Sequence, residues 1–164
     1  MSSLEKLEHF ARLLHDVERV TRVARRPDEH AQTNTAEHTF ELAMHCWCLM
    51  TVERLDLDHE RVLKYALAHD IVEVYAGDTF AYDEEAKKTK DAREAKALQR
   101  IEKEYAEFPE LVAAIHEYHA RNTPEAAFVY AVDKLVDPLN ISMETKQSMW
   151  KEYDISFDTL VTNK

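Results

Sequence analysis

Glycine is almost missing from this chain: one residue in 164, beside four prolines and two cysteines. Sandwiches and barrels need positive φ at many tight corners, so such scarcity argues against them and for long helices with few joints. The expected class is all-α, a bundle of about six or seven helices. Cys46 and Cys48 stand two apart in an apolar helical segment, where their side chains diverge, so both are read as buried thiols rather than a disulfide. No stretch reaches the eighteen or more apolar residues of a membrane span, and Met1-Ser2-Ser3-Leu4-Glu5-Lys6 carries no apolar signal core. A cytoplasmic chain without membrane contact is expected. Thirty-two acidic residues against twenty-one basic ones give a net charge of −11, which repels phosphate backbones and argues against a nucleic-acid polymer as partner. An anionic small substrate would then need local cations or a metal.

Hydrophobic residues make up 45% of the chain, enough for a core, and the length suits one domain over 1–164. Apolar residues from Leu4 to Val23 recur at steps of three and four, which predicts one helix over about 3–24, followed by a polar loop over 25–35. Asn34-Thr35-Ala36-Glu37 offers a cap with glutamate three residues on, so a second helix starts there. Its apolar arc through Phe40, Met44 and Trp47 is wide, which predicts a central position. A third helix, capped by Asp58, is expected to run through Asp70 and Val74 and to end at the glycine of Ala76-Gly77-Asp78. Residues 84–107 form a charged helix with Lys87, Lys88, Lys90 and Arg93 on a solvated face. Pro109 and Pro124 each fit the first turn of a further helix. Pro138 ends or kinks the last of these, and 143–164 is expected to hold one or two short peripheral helices around Trp150, Phe157 and Leu160.

The chemistry lies where polar side chains interrupt apolar helices. Ala68-His69-Asp70-Ile71-Val72-Glu73 sets a histidine and an aspartate side by side among apolar residues, a costly burial unless an ion or partner compensates them. Glu73, one turn further, would stand over the same ion. His15-Asp16 supplies an internal control: the same pair on a helix with a broad polar side, without the glutamate at four or the Gly-Asp end, and it is read as a decoy. His38, near the start of the second helix, and Asp133, in Ala131-Val132-Asp133-Lys134, also interrupt apolar surroundings. The order is His38, the His-Asp pair thirty-one residues later, and Asp133 sixty-three beyond Asp70.

On these residues, with Ala36-Glu37-His38-Thr39, Ala76-Gly77-Asp78 and Thr123-Pro124-Glu125-Ala126, the chain resembles the HD-domain metal-dependent phosphohydrolases over about 22–139, and especially the compact branch of the bacterial 5′-deoxynucleotidases. The resemblance implies that His38, His69, Asp70 and Asp133 bind one divalent cation. That nitrogen and oxygen set suits Mn, Fe, Co, Ni or Zn better than Ca. It further implies that Glu73 handles the attacking water, that Asp78 lies by the leaving oxygen and sugar, and that Arg22 binds substrate phosphate. Arg25 and Arg26 are alternatives for the phosphate, and Lys134 lies next to Asp133. The implied activity is release of phosphate from (deoxy)nucleoside monophosphates. A deoxynucleoside triphosphate triphosphohydrolase is the nearest alternative, and a non-catalytic metal- or nucleotide-binding regulatory module is one of another class. A homodimer is expected from helical relatives, with the Trp150 region as one contact. His116 and His119, three apart, do not match a zinc-protease helix, whose histidines are four apart. They remain candidates for a second ion or a phosphate, and His9, His30, His45 and His59 are read as surface or packing residues.

Overall fold

Ser2 starts the first helix through a reciprocal cap: its side chain accepts from Glu5 N, while Ser2 N donates to the Glu5 carboxylate at 2.6 Å. In the computed structural model, residues 2–144 and 151–153 are described. The expected contacts of Trp150, Phe157 and Leu160 lie outside them. Helix α1 covers Ser3–Arg19 and buries Leu13 and Val17. It is shorter than its apolar period predicts. Val20 and Val23 leave the helix, because Thr21–Arg25 forms a strand, β1, antiparallel to β2, Gln32–Asn34, with Thr21 opposite Asn34 and Arg25 opposite Gln32. The β-branched residues of this stretch suit a strand as well as a helix, and a turn at Pro27-Asp28, with Asp28 at φ 61°, folds the chain back. The expected loop over 25–35 is therefore partly a ribbon. Its period of two turns Arg22 and Ala24 inward.

Helix α2, Thr35–Val52, begins at the expected Asn34 and Glu37 capping box. It buries His38, Leu42, Cys46 and Met50, but Phe40 is 69% exposed, and Met44 and Trp47 are exposed as well. The wide apolar arc thus exceeds what the core covers, and the helix is not buried all round. Cys46 is a buried thiol as expected, while Cys48 is exposed. Asp58 caps α3, His59–Ala68, by accepting from Glu60 N and Arg61 N.

The third helix does not continue to residue 76. After Ala68 the backbone tightens: Ile71 N donates to Ala68 O at 3.2 Å and Glu73 N to Asp70 O at 3.0 Å. One helical turn, α4, then covers Glu73–Ala76 and ends at Gly77 with φ 75° and ψ 150°. This is a region only glycine occupies without strain, and no atom within 4 Å would meet a Cβ there, so the demand is conformational rather than steric.

Helices α5, Glu84–Glu104, α6, Pro109–Ala120, and α7, Pro124–Met143, complete the bundle, and both expected prolines stand at first-turn positions. Helix α7 passes through Pro138 without ending. The fully buried Leu13, Leu42, Met50, Val62, Tyr65, Ile101, Ile115, Val129 and Val136 form the core, with α3 packed against α2, α6 and α7. Among the described residues no helix is long and apolar enough to cross a membrane.

Candidate metal centre

His38, Asp70, Asp133 and His69 come from α2, α7 and the tight turns after α3, and their tips converge. His38 Nε2 lies 2.9 Å from Asp133 Oδ1, and His69 Nε2 lies 2.9 Å from Asp70 Oδ2. The cross distances, His38 Nε2 to Asp70 Oδ2 and His69 Nε2 to Asp133 Oδ1, are both 3.8 Å. Neighbouring residues on an α-helix point about 100° apart. The tightening after Ala68 is what lets His69 and Asp70 meet. By contrast His15 is exposed and Asp16 is paired with Arg19 at 2.7 Å.

The donor set fits a divalent cation. His69 Nδ1 is 2.8 Å from Ala66 O, and since a carbonyl only accepts, this nitrogen carries the proton. In the neutral ring the Nε2 lone pair then faces the Asp70 and Asp133 oxygens, and Nε2 has no hydrogen-bond partner among the described residues. A lone pair buried against carboxylates needs a proton or a metal between them. A histidine fixed by a backbone carbonyl at its other nitrogen is the usual arrangement of a metal-binding imidazole. One ligand atom each from His38, His69 and Asp133 lies within 4.8 Å of the others, and Asp70 Oδ2 adjoins them.

Electrostatics separate the carboxylates. Burial pushes Asp70 upward, but the positive charge that His69 and His38 carry as imidazoliums, and the Arg22 guanidinium, win and hold it well below its ordinary range, and Asp70 in turn holds the His69 ring above its own. Asp133 is likewise lowered against burial, by its bond to His38 and the charge of Lys134, whose Nζ donates to Oδ2 at 2.8 Å. Glu73 goes the other way. Burial, then repulsion from Asp70 and Asp78, pushes it up to about 9 against the pull of Arg22 and a 2.9 Å hydrogen bond from Thr35 Oγ1. Asp78 is also raised, chiefly by burial, with Arg22 opposing.

Of the three candidate arginines, only Arg22 reaches this place. Its guanidinium lies 3.3 Å from Asp70, 3.6 Å from Asp78 and 3.0 Å from Asp137. The structure places Arg25 against Glu152, at 2.7 and 2.9 Å, and Arg26 against Glu29 and Glu37. The ribbon turns both away from the cavity that Arg22 lines. His116 bonds Glu102 at 2.6 Å, away from the centre, while His119 lines a cavity beside it.

Sequence reasoning missed three residues here. Asp137 stands one helical turn after Asp133, a spacing that places both on one face of α7 and offered a signal. Thr35 sits at the head of α2, where it reads only as a capping-region residue. Arg93, assigned to a solvated face, instead donates to Ala76 O, to Gly77 O at 3.4 Å and to Thr79 Oγ1 at 2.7 Å, and so ties down the chain on both sides of Asp78. Nothing in its charged neighbourhood signals that contact.

A helical bundle that gathers two histidines and two aspartates from three elements around one buried point defines a metal-site architecture. Residues 11–164 match the HD domain, and the chain belongs to that family. It is 25% identical over 140 residues to the 5′-deoxynucleotidase HDDC2 of Danio rerio, covering 80% of this chain and 66% of that one. Against the 5′-deoxynucleotidase HDDC2 of Homo sapiens it is 28% identical over 136 residues, covering 78% and 63%. The chain thus spans a little under two-thirds of the length of these curated relatives. A crystal structure described as a predicted metal-dependent phosphohydrolase, from Magnetospirillum magnetotacticum MS-1, superposes with a TM-score of 0.84 at 29% identity, over 99% of this chain and 82% of that one.

Proposed function

We propose that this chain is a metal-dependent phosphohydrolase of the 5′-nucleotidase type, releasing phosphate from (deoxy)nucleoside monophosphates. The observation that carries the reading is the buried His69 Nε2, aimed without a hydrogen-bond partner among the described residues at the carboxylates of Asp70 and Asp133. The names of the HDDC2 relatives support the nucleotide class.

His38, His69, Asp70 and Asp133 would hold the ion. When bound, a divalent cation supplies Lewis acidity toward phosphoryl oxygens, lowers the pKa of water, and offsets the like-charge repulsion on Glu73. Glu73, held by Thr35, then accepts the proton of the attacking water. Arg22 takes a phosphoryl oxygen by trading away its contact with Asp137, the most exposed of its three partners, and its fork keeps Asp70 and Asp78 in register. Asp78, 3.6 Å from Arg22 in the same cavity, stands by the leaving oxygen and sugar, and the proton that Glu73 takes from the water returns to the departing alkoxide. The cavity around these groups, 530 Å3, adds the rings of Phe80 and Tyr82 and the side chain of Ile141, an apolar bed for a nucleoside.

A panel of nucleotides with Mn, Co or Zn tests the reading. Orthophosphate from deoxynucleoside monophosphates is expected. Tripolyphosphate from triphosphates alone would assign the chain to triphosphohydrolases, and no product with any metal would leave a binding module.

We extend the reading to a homodimer. Phe40, Met44 and Trp47 lie at i, i+4 and i+7 on α2 with 69, 45 and 53% of their surface exposed, an apolar stripe that a second copy would cover. Light scattering is expected to give twice the chain mass for the parent and the single mass for a Phe40→Glu, Trp47→Glu variant. A parent that runs as a single chain would end this extension.

A further inference from the structure

Arg25 does not reach the candidate metal centre, yet it has a built partner. Its Nη1 and Nη2 meet the two carboxylate oxygens of Glu152 at 2.7 and 2.9 Å, fork against fork, across 127 residues of chain. The Arg25 side chain is only 15% exposed, whereas an ordinary surface pair leaves both partners in water. The next residue, Tyr153, packs its ring on Phe80, with centroids 4.9 Å apart and planes at 57°. Glu152 and Tyr153 thus tie the ribbon to the loop between α4 and α5.

Both anchor points belong to the wall of the 530 Å3 cavity. Val23, which shares a face of β1 with Arg25, lines it, and so do Phe80 and Tyr82. The Phe80 ring meets that of Tyr82 at 5.3 Å and 62°, so Tyr153, Phe80 and Tyr82 run as one aromatic series from behind the wall to its inner face. Tyr153 itself does not line the cavity. The loop that carries Phe80, residues 77–83, is neither helix nor strand. Arg93 holds it through Gly77 O and Thr79 Oγ1, and Asp83 N donates to Phe80 O at 3.0 Å. These bonds fix the chain but not the direction of the Phe80 ring, which is set by what packs on it.

We propose that Glu152 and Tyr153 are positioning residues for the nucleotide base: the Arg25–Glu152 fork holds Tyr153 against Phe80, and Phe80, so held, is the face on which the base stacks. The inference rests on the nucleotide reading given above and deepens it by naming what recognises the base. It also gives Arg25 a task other than phosphate. An aromatic wall suits a base because every base presents a π-face, and a ring fixed before binding loses less freedom when the base arrives. Fork and ring act as one clasp. Breaking the fork releases Tyr153, and removing Tyr153 leaves the fork nothing to hold.

The test is titration calorimetry on the metal-loaded protein with two inert ligands, the 5′-phosphonate of deoxyadenosine and the 5-phosphonate of 2-deoxyribose, which lacks the base. The parent is expected to bind the first about tenfold more tightly. Tyr153→Ala should cost about fivefold for that ligand, with the base-less one bound within about twofold of the parent, and Tyr153→Phe, which keeps the ring, should restore the difference. Arg25→Gln and Glu152→Gln should each cost about threefold for the deoxyadenosine ligand alone, and the double variant no more than either, because both break one contact. Equal loss for both ligands in Arg25→Gln would return that residue to the phosphate and overturn the clasp. Tyr153→Ala that binds like the parent, or Tyr153→Phe that does not rescue, would overturn it too. A parent that binds both ligands equally would sink the base wall and leave the phosphohydrolase reading standing, whereas one that binds neither would sink the nucleotide reading and this inference with it.

Discussion

Glu73→Gln is expected to abolish phosphate release and, at the same time, to raise the melting temperature of the metal-free protein at pH 8. Loss of a positioned proton acceptor costs on the order of 10²- to 10⁴-fold in rate. The stability gain follows from linkage. Glu73 has an ordinary value of 4.5 and is pushed up to about 9, first by burial and then by Asp70 and Asp78. The native state therefore holds this proton more tightly than the unfolded chain does. The resulting stability is fully present below about pH 4.5 and is lost as pH rises toward 9. Glutamine keeps the shape without the charge and can still accept from Thr35. It should recover on the order of 1–3 kcal/mol at pH 8, with each kcal/mol worth about 2–4 °C for a chain of this size. Thermal melts of both proteins across pH 5–9, stripped of metal, read this directly: the curves should converge at the acid end and separate at the alkaline end. A variant that melts lower at pH 8 would show that Glu73 is stabilised by ionising, and the proposed electrostatic frustration would be wrong. Such a group, costly to the fold and useful to the chemistry, is what a site selected for function rather than stability contains.

Asp133→Asn should leave the helices intact and remove metal binding. The amide is isosteric, can still meet His38, and lies on α7 between the buried Val132 and Val136. It lacks the charge that balances His38, His69 and Lys134. Loss of an outer partner of a metal ligand costs about 10- to 100-fold in metal affinity, and loss of a charged ligand should exceed that. Metal content after dialysis, measured per chain by elemental analysis, is expected to fall from near one to background while the far-ultraviolet dichroism stays unchanged. A variant that retains the parent's metal would place the ion elsewhere. The same measurement on Asp16→Asn should show no change, because Asp16 lies on α1 in an ion pair with Arg19.

Much of the fold was legible because its signals are local. Asn34 and Asp58 each cap a helix through a side-chain oxygen, and Pro109 and Pro124 open helices where a missing N–H costs nothing. The candidate site was legible for a related reason. A histidine or aspartate among apolar neighbours on a helix must be compensated when it is buried, so His38, His69, Asp70 and Asp133 stand out as candidates, and the family resemblance is what groups them as one ligand set. The errors fall where two local signals tie. Val23 satisfies a helical step and a strand propensity equally, and only pairing with Gln32–Asn34 selects the strand. Phe40 and Trp47 read as core because hydrophobicity does not say which surface a helix turns to solvent.

The order of residues by itself determined that the chain is helical, where most helices begin, and which polar side chains interrupt apolar helix faces. Tertiary structure decided the break after Ala68 that aims His69 and Asp70 at one point, the ribbon that admits Arg22 and excludes Arg25 and Arg26, and the hold of Arg93 on the loop of Asp78. Caps and periodicity are settled within a few residues of chain. The direction of a side chain at a junction is settled by what packs against it, and here those partners stand from 14 residues away, as for Arg93 and Thr79, to 115 away, as for Arg22 and Asp137.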